Sequence, residues 1–378
     1  MKKKLLFIIT QFYKGGAETS LLNLFRLLNP EKYEVDFIIL NQIEYRDVTS
    51  LVEYIPDWIK VYDLIKSSRK VKLWEKIGGK VYRRLFHAET YGNSAVAVVK
   101  HKKYDAAFSF GEWLSPEFIA KNVDAKHKYV WIHIDLDKAD FVNKKELVKY
   151  DDQITGYIFA SQKSMTGAFA SCPEMKKKSY VVHNFLNRKD IQKKAEEKID
   201  QIRINKPYLL SVGNLRLEKN YPRQVEVMKL LKERKNNIMW ICIGSTVDKV
   251  VFEEVKELLE KYNLQQDFIL CGAKDNPYKY MSHAEAVMVL SDHESWSLVI
   301  SEAKILGVPV IATKTSGAQE QLVNEKTGII TSFEVEDIVT AVERFLTSRT
   351  LQSEIRENLI NAKVIEDGLM EFESLLRE

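Results

Sequence analysis

Residues 290–320, LSDHESWSLVISEAKILGVPVIATKTSGAQE, leave the chain little freedom in how it can fold. An apolar run ends in acidic residues. An apolar helix face then runs to Gly307, a second apolar run covers 308–311, and Ser316-Gly317-Ala318 follows. The periodicities predict a strand, a loop, a helix, a strand and a small-residue turn. Glu294 falls on the loop at the carboxyl end of the first strand, where open α/β sheets bind ligands. Glu302 lies eight residues on, about two helical turns deeper.

The same alternation recurs along the chain. Strands are expected at 208–212, 239–243, 268–270, 286–290, 308–312 and 328–330, with helices between them. In the first half they are expected at the N-terminus and at 35–40, 106–110, 129–134, 157–160 and 180–183. Alternating strands and helices imply parallel sheets with right-handed crossovers. The expected class is α/β, with two Rossmann-like parallel-sheet domains facing each other across a deep cleft. At 378 residues the chain exceeds one ordinary core. The expected division is 1–186 and 187–363, with a polar connector over 187–205 that carries some helix. The last helix, 364–378, is expected to pack back on the first domain.

Charge divides unevenly. Residues 1–185 hold 30 Lys+Arg against 22 Asp+Glu, whereas 186–378 hold 27 against 31. An acidic or phosphate-bearing partner is therefore drawn to the first half. MKKKLLFIIT opens like a secretory leader, but its apolar stretch is short and runs into Gln11 and Lys14, so it reads as a buried strand. No run approaches the length that crosses a bilayer. Cys172, Cys242 and Cys271 are scattered in apolar or small-residue surroundings, which suits reduced core thiols in a cytoplasmic protein and excludes a disulfide frame.

Several short segments could carry chemistry. Gly15 and Gly16 stand where the first strand becomes a helix, so backbone and helix N-terminus can approach a phosphate; a plain tight turn explains them equally. The loop is not G-x-G-x-x-G, and a dinucleotide site has poor support. Lys219 and Arg216 follow the first strand of the second half and could hold a diphosphate and the charge it gains on leaving. His133 closes the run KYVWIHI, where it could bond a sugar hydroxyl or trade a proton near neutral pH. Asp135-Leu136-Asp137 has the D-x-D form of a metal–diphosphate motif, and chance explains it better in a chain this acidic. Segment 66–87 carries eight Lys/Arg and one Glu with Trp74, Ile77, Val81 and Leu85 at helical spacing. It suits the surface of an anionic membrane or an ordinary core-facing helix; no nucleic-acid-binding module accompanies the charge.

Taken in order, these residues resemble a retaining GT-B glycosyltransferase of family 4. The most specific match is E-x7-E, Glu294 to Glu302, followed by Ala303, Gly307-Val308-Pro309-Val310 and Ser316-Gly317. Asn276-Pro277-Tyr278, the Gly213…Lys219 loop, Gly15-Gly16-Ala17-Glu18 and Trp131-Ile132-His133 fit the same pattern. The resemblance implies that Glu294 lies near the donor sugar and that Glu302 accepts hydrogen bonds from ribose hydroxyls. Lys219 would hold the donor diphosphate with backbone N–H groups around Leu298 and Val299. Gly15 and Gly16 would let the first domain close on the substrates, and His133 would contact the transferred sugar.

The implied substrates are a UDP- or GDP-sugar and a glycan or polyprenyl-linked acceptor in surface polysaccharide assembly. No cofactor or metal is implied, and the enzyme would be cytoplasmic or peripheral on the inner face of the membrane. Two departures stand out. Asn214 occupies a position where the family usually has Arg, which leaves Arg216 as a substitute. Ser295 and Ser297 stand where glycines are frequent and narrow the space beside the sugar. A weakly catalytic partner subunit and a sugar-nucleotide epimerase are the competing readings.

Overall fold

The computed structural model describes residues 2–42, 49–64, 95–199, 204–246, 248–361 and 368–377. The basic segment 66–87 lies outside the described residues. The chain forms two compact units, Met1–Phe185 with Asp367–Glu378, and Leu186–Glu366.

The first unit holds seven strands: β1 (Lys3–Ile9), β2 (Tyr33–Ile39), β3 (Lys60–Asp63), β4 (Lys103–Phe110), β5 (Asp124–Ile132), β6 (Gly156–Phe159) and β7 (Ser179–Val181). They pair in parallel in the order β3-β2-β1-β4-β5-β6-β7. Along β1 the apolar run splits by pleat: Leu5, Phe7 and Ile9 enter one core, and Leu6 and Ile8 the other. A sheet buried on both faces needs such continuous apolar strands. The edge strand β3 is not among the expected strands, because it is four residues long and only partly buried. Without a continuous apolar run it gives no strand signal.

The helix Gly368–Leu375 belongs to this unit. Its Phe372 packs against Phe7, Phe108, Trp131 and Phe185, with centroids 5.4–6.2 Å away. Glu371 accepts the His183 N–H at 2.7 Å, and a Cβ on Gly368 would lie 2.1 Å from the His183 carbonyl oxygen. Only glycine permits that approach.

The second unit holds β8 (Tyr208–Val212), β9 (Met239–Ile243), β10 (Phe268–Leu270), β11 (Ala286–Val289), β12 (Val310–Thr313) and β13 (Ile329–Thr331). Their parallel order is β10-β9-β8-β11-β12-β13. Again the pleat divides the side chains: Trp240 and Cys242 face one core, Met239, Ile241 and Ile243 the other. Helices follow from caps and stripes. Asp248 accepts the N–H groups of Val250 and Val251 at 3.1 and 3.2 Å, starting Lys249–Lys261, which buries Val251, Val255 and Leu259. Both units are Rossmann-like, as expected for a GT-B chain. No described helix is long and apolar enough to cross a membrane.

In each sheet the winding reverses once, between β1 and β4 and between β8 and β11. Loops at the carboxyl ends of strands that flank such a reversal diverge and leave a crevice. The candidate residues lie at or next to these two places.

Candidate functional site

In the second unit the crevice is bounded by the loop after β8 and the loop after β11. Lys219 closes a 3-10 turn, Leu217–Lys219, on the first, and Glu294 stands on the second. Their side chains meet across the reversal, Lys219 Nζ donating to Glu294 Oε2 at 2.6 Å. The side chains are only 26% and 12% exposed, so water screens this ion pair poorly.

Neighbouring residues hold the two loops together. The Asp292 N–H donates to the Glu218 carbonyl at 2.8 Å. Asn220 Nδ2 donates to the Asp292 carboxylate at 3.0 Å, and Arg223 Nη2 meets it at 2.6 Å. Arg223 Nη1 also reaches the Leu290 carbonyl at 3.1 Å. Asn220 is left-handed, with φ of 45°, and caps the helix Tyr221–Glu233 through its Oδ1. The turn carrying Lys219 is thus braced from both ends. Behind it a small pocket is lined by Ser211, Lys219, Tyr221, Gln224, Ser297 and Val299, among others.

Ser297 precedes the helix Leu298–Ile305, whose first-turn N–H groups belong to Leu298 and Val299. Such N–H groups lie ahead of the first intrahelical bond and favour an anion. Gln321 holds Ser297 by a two-way amide contact: it accepts the Ser297 N–H and donates to the Ser297 carbonyl, both at 2.8 Å. It also donates to Ser301 Oγ at 2.8 Å. Glu302, on the same helix, is 7% exposed and accepts from the Tyr278 hydroxyl at 3.0 Å. Residues 316–318, expected as a turn, instead open the helix Ser316–Gln321, because Thr315 Oγ1 caps the Ala318 N–H at 3.3 Å. A Cβ on Gly317 would lie 2.8 Å from the Glu294 carbonyl oxygen, which accepts the Gly317 N–H at 2.7 Å. Glycine there lets the helix press on the Glu294 loop.

Asn214, where an arginine was expected, pins its loop to the end of β9, its Oδ1 accepting from Ser245 N and Oγ at 3.1 and 2.8 Å. The Arg216 side chain is exposed, and its carbonyl accepts the Lys219 N–H at 3.1 Å. The structure therefore does not bring Arg216 into the Lys219–Glu294 pair.

The first unit presents its own set beyond the carboxyl ends of β1, β4 and β5. Gly15 caps the helix Gly16–Leu27 in extended backbone, φ −139°, and the atoms nearest a Cβ there belong to the flexible Glu18 carboxylate, so its backbone has no left-handed requirement for glycine. His133 follows β5 directly, against Phe110 and Trp131. Both of its ring nitrogens are buried although the residue as a whole is half-buried. That burial pushes its pKa down to about 3. This corrects the expectation of proton exchange near neutral pH: the ring is neutral there. Glu112, missed in the sequence, accepts the His133 N–H at 3.1 Å, and burial raises its pKa above the usual carboxylate range. Its signal is an acidic residue two positions after a buried strand, in FGEW. Asp135 pairs with Lys138 at 3.9 Å, a local contact inside the D-x-D segment.

Residues 192–363 match the model of the glycosyl transferases group 1 family, which is nearly the whole second unit. Over these residues the chain is similar to the glycosyl transferases group 1 family. The N-acetylgalactosamine-N,N'-diacetylbacillosaminyl-diphospho-undecaprenol 4-alpha-N-acetylgalactosaminyltransferase of Campylobacter jejuni is 28% identical over 162 residues, 43% of this chain and 42% of that protein. The capsular polysaccharide biosynthesis glycosyltransferase CapM of Staphylococcus aureus is 24% identical over 44% of this chain and 43% of its own. The match thus spans less than half the length of these relatives. Anabaena HepE, solved in complex with UDP and glucose, has a TM-score of 0.75 at 15% identity, covering 99% of this chain and 98% of its own. WaaG, a glycosyltransferase involved in lipopolysaccharide biosynthesis, has a TM-score of 0.69 at 14% identity, covering 98% of each chain. At such identities the likeness concerns the fold, and the residues matched by the family model include the E-x7-E pair.

Proposed function

We propose that the protein transfers a sugar, with retention of configuration, from a UDP- or GDP-sugar to a glycan or lipid-linked acceptor in surface polysaccharide assembly. The observation that carries this reading is the Lys219–Glu294 pair, 2.6 Å long, at the sheet reversal of the second unit. A diphosphate seated there meets the Lys219 ammonium and the N–H groups of Leu298 and Val299. As the sugar leaves, negative charge grows on the diphosphate, and preorganised donors stabilise it more than they stabilise the bound donor. That supply of positive charge supports transfer without a divalent metal. Glu302 serves as ribose acceptor, held by Tyr278, and Glu294 orients Lys219 and the sugar. His133, neutral at physiological pH, is not an acid in this reaction, and its ring borders the transferred sugar.

The test is transfer from radiolabelled UDP- and GDP-sugars to polyprenyl-linked glycans, with and without a chelator. Product should form in both conditions, and a Lys219→Ala variant should lose it. Full activity in that variant, or strict dependence on added metal, sinks the proposal. The Asn214–Ser245 contact favours a second reading, a donor-binding partner subunit, since it removes an expected phosphate contact. Donor binding with no turnover under all conditions would support that reading.

A further inference from the structure

Two large aromatic residues stand outside the cores of the first unit and face each other. Trp113 is 64% exposed and Phe141 71% exposed, and their rings stack with centroids 5.5 Å apart and planes 13° from parallel. Trp113 lies on the loop after β4, one residue beyond Glu112, whose carboxylate accepts the His133 N–H. Phe141 lies on the segment that continues from β5 through the 3-10 turn Leu136–Lys138. Both rings are therefore at the carboxyl ends of adjacent central strands, beside the β1/β4 reversal.

The pair is held in place by its surroundings. Gly111 has φ of +108°, and its carbonyl accepts the Leu114 N–H at 3.2 Å, which closes a turn around Trp113. Ser115 Oγ donates to Glu146 Oε1 at 2.8 Å, tying the Trp113 loop to the helix Lys144–Val148 that follows Phe141. Exposed aromatic surface costs hydration free energy, and a partner that covers it recovers that cost. Flat exposed rings suit a ligand with one apolar and one hydroxylated side.

Charge selects among ligands. Of the six Asp and Glu in 111–117 and 135–146, Glu112 and Asp135 are buried, which leaves four against three Lys; the patch has no cationic surplus to draw an anionic bilayer, and an uncharged ring fits it better. From this geometry we infer that the Trp113–Phe141 pair is a platform for a neutral sugar ring of the acceptor glycan, whose apolar face packs on the exposed aromatic surface. The assignment to the acceptor rests on the glycosyl-transfer reading; the platform itself does not.

The experiment is saturation-transfer NMR on the full chain with maltotriose and triacetylchitotriose as neutral probes and UDP as an internal control. Ring C–H protons of at least one oligosaccharide should saturate in the wild type. Trp113→Ala and Phe141→Ala should weaken that contact about tenfold, Trp113→Phe should largely retain it, and UDP signals should be equal in all. Neither probe saturating, or unchanged contact in the alanine variants, overturns the platform. So does loss of phosphatidylglycerol-vesicle binding in those variants with oligosaccharide contact intact. Absence of UDP binding with the sugar contact intact would instead sink the nucleotide-sugar reading and leave the platform standing.

Discussion

Lys219 and Glu294 restrain one another, and replacing either frees a charge in a poorly screened place. Lys219→Ala is expected to lower kcat by about 10²–10³-fold, the usual loss for one preorganised charge donor. Steady-state kinetics with a saturating donor would check it, with a smaller change in donor KM. His133 makes a prediction about pH. Its folded pKa is pushed to about 3 from an ordinary 6.5, so the unfolded chain binds the proton first. The stability it contributes is complete above about pH 6.5 and is lost as pH falls from there toward 3. The midpoint of thermal unfolding should therefore fall more steeply between pH 6.5 and 4.5 in the wild type than in His133→Gln. Equal slopes would show that the ring is not buried from protons. Residue identity made Lys219 and Glu294 legible in the sequence as charges beyond strand ends, and Glu302 by its spacing along the following helix. The partners Arg223 and Asp292 were not, because 69 residues separate them and nothing local marks the contact.

At the scale of elements, the helix Leu298–Ile305 depends on a residue from another helix. Gln321 satisfies both backbone groups of Ser297, and those groups are buried. Gln321→Ala should cost about 1–3 kcal/mol of stability, the penalty for stranding buried polar groups. It should also weaken UDP binding, because the N-terminal turn of the helix loses its anchor. Denaturant unfolding and calorimetric titration measure the two effects; a loss of stability with unchanged UDP affinity would separate the clamp from ligand binding. The helix Gly368–Leu375 gives a parallel case in the first unit. Phe372→Ala should cost about 3–5 kcal/mol, as an aromatic ring leaves a fully buried aromatic cluster. Strands β8, β9 and β10 occupy the residues expected for them, since apolar stretches mark strands of a largely buried sheet in the sequence. The helix Ser316–Gln321 was not legible: its small and polar residues carry no apolar stripe, and it forms by packing on the Glu294 loop.

For the molecule as a whole, the bound donor adds to stability by mass action. At a ligand concentration about 100 times Kd the gain is about 2.7 kcal/mol. A thermal-shift series with UDP, GDP, ADP and TDP should single out one base, and a flat response across all four would count against the donor site. By itself the sequence determined the α/β class, the strands with continuous apolar runs and the acidic and basic residues at their ends. Those depend on hydrophobic periodicity and charge, which are local properties. The tertiary structure alone decided which of these residues meet. It set the strand order whose reversals lie at β1/β4 and β8/β11, and it closed Lys219 on Glu294 across 75 residues. It buried His133 deeply enough to keep it neutral and left Trp113 and Phe141 stacked in the open. Contacts across such separations depend on how strands cross and pack, and no window of sequence holds both partners.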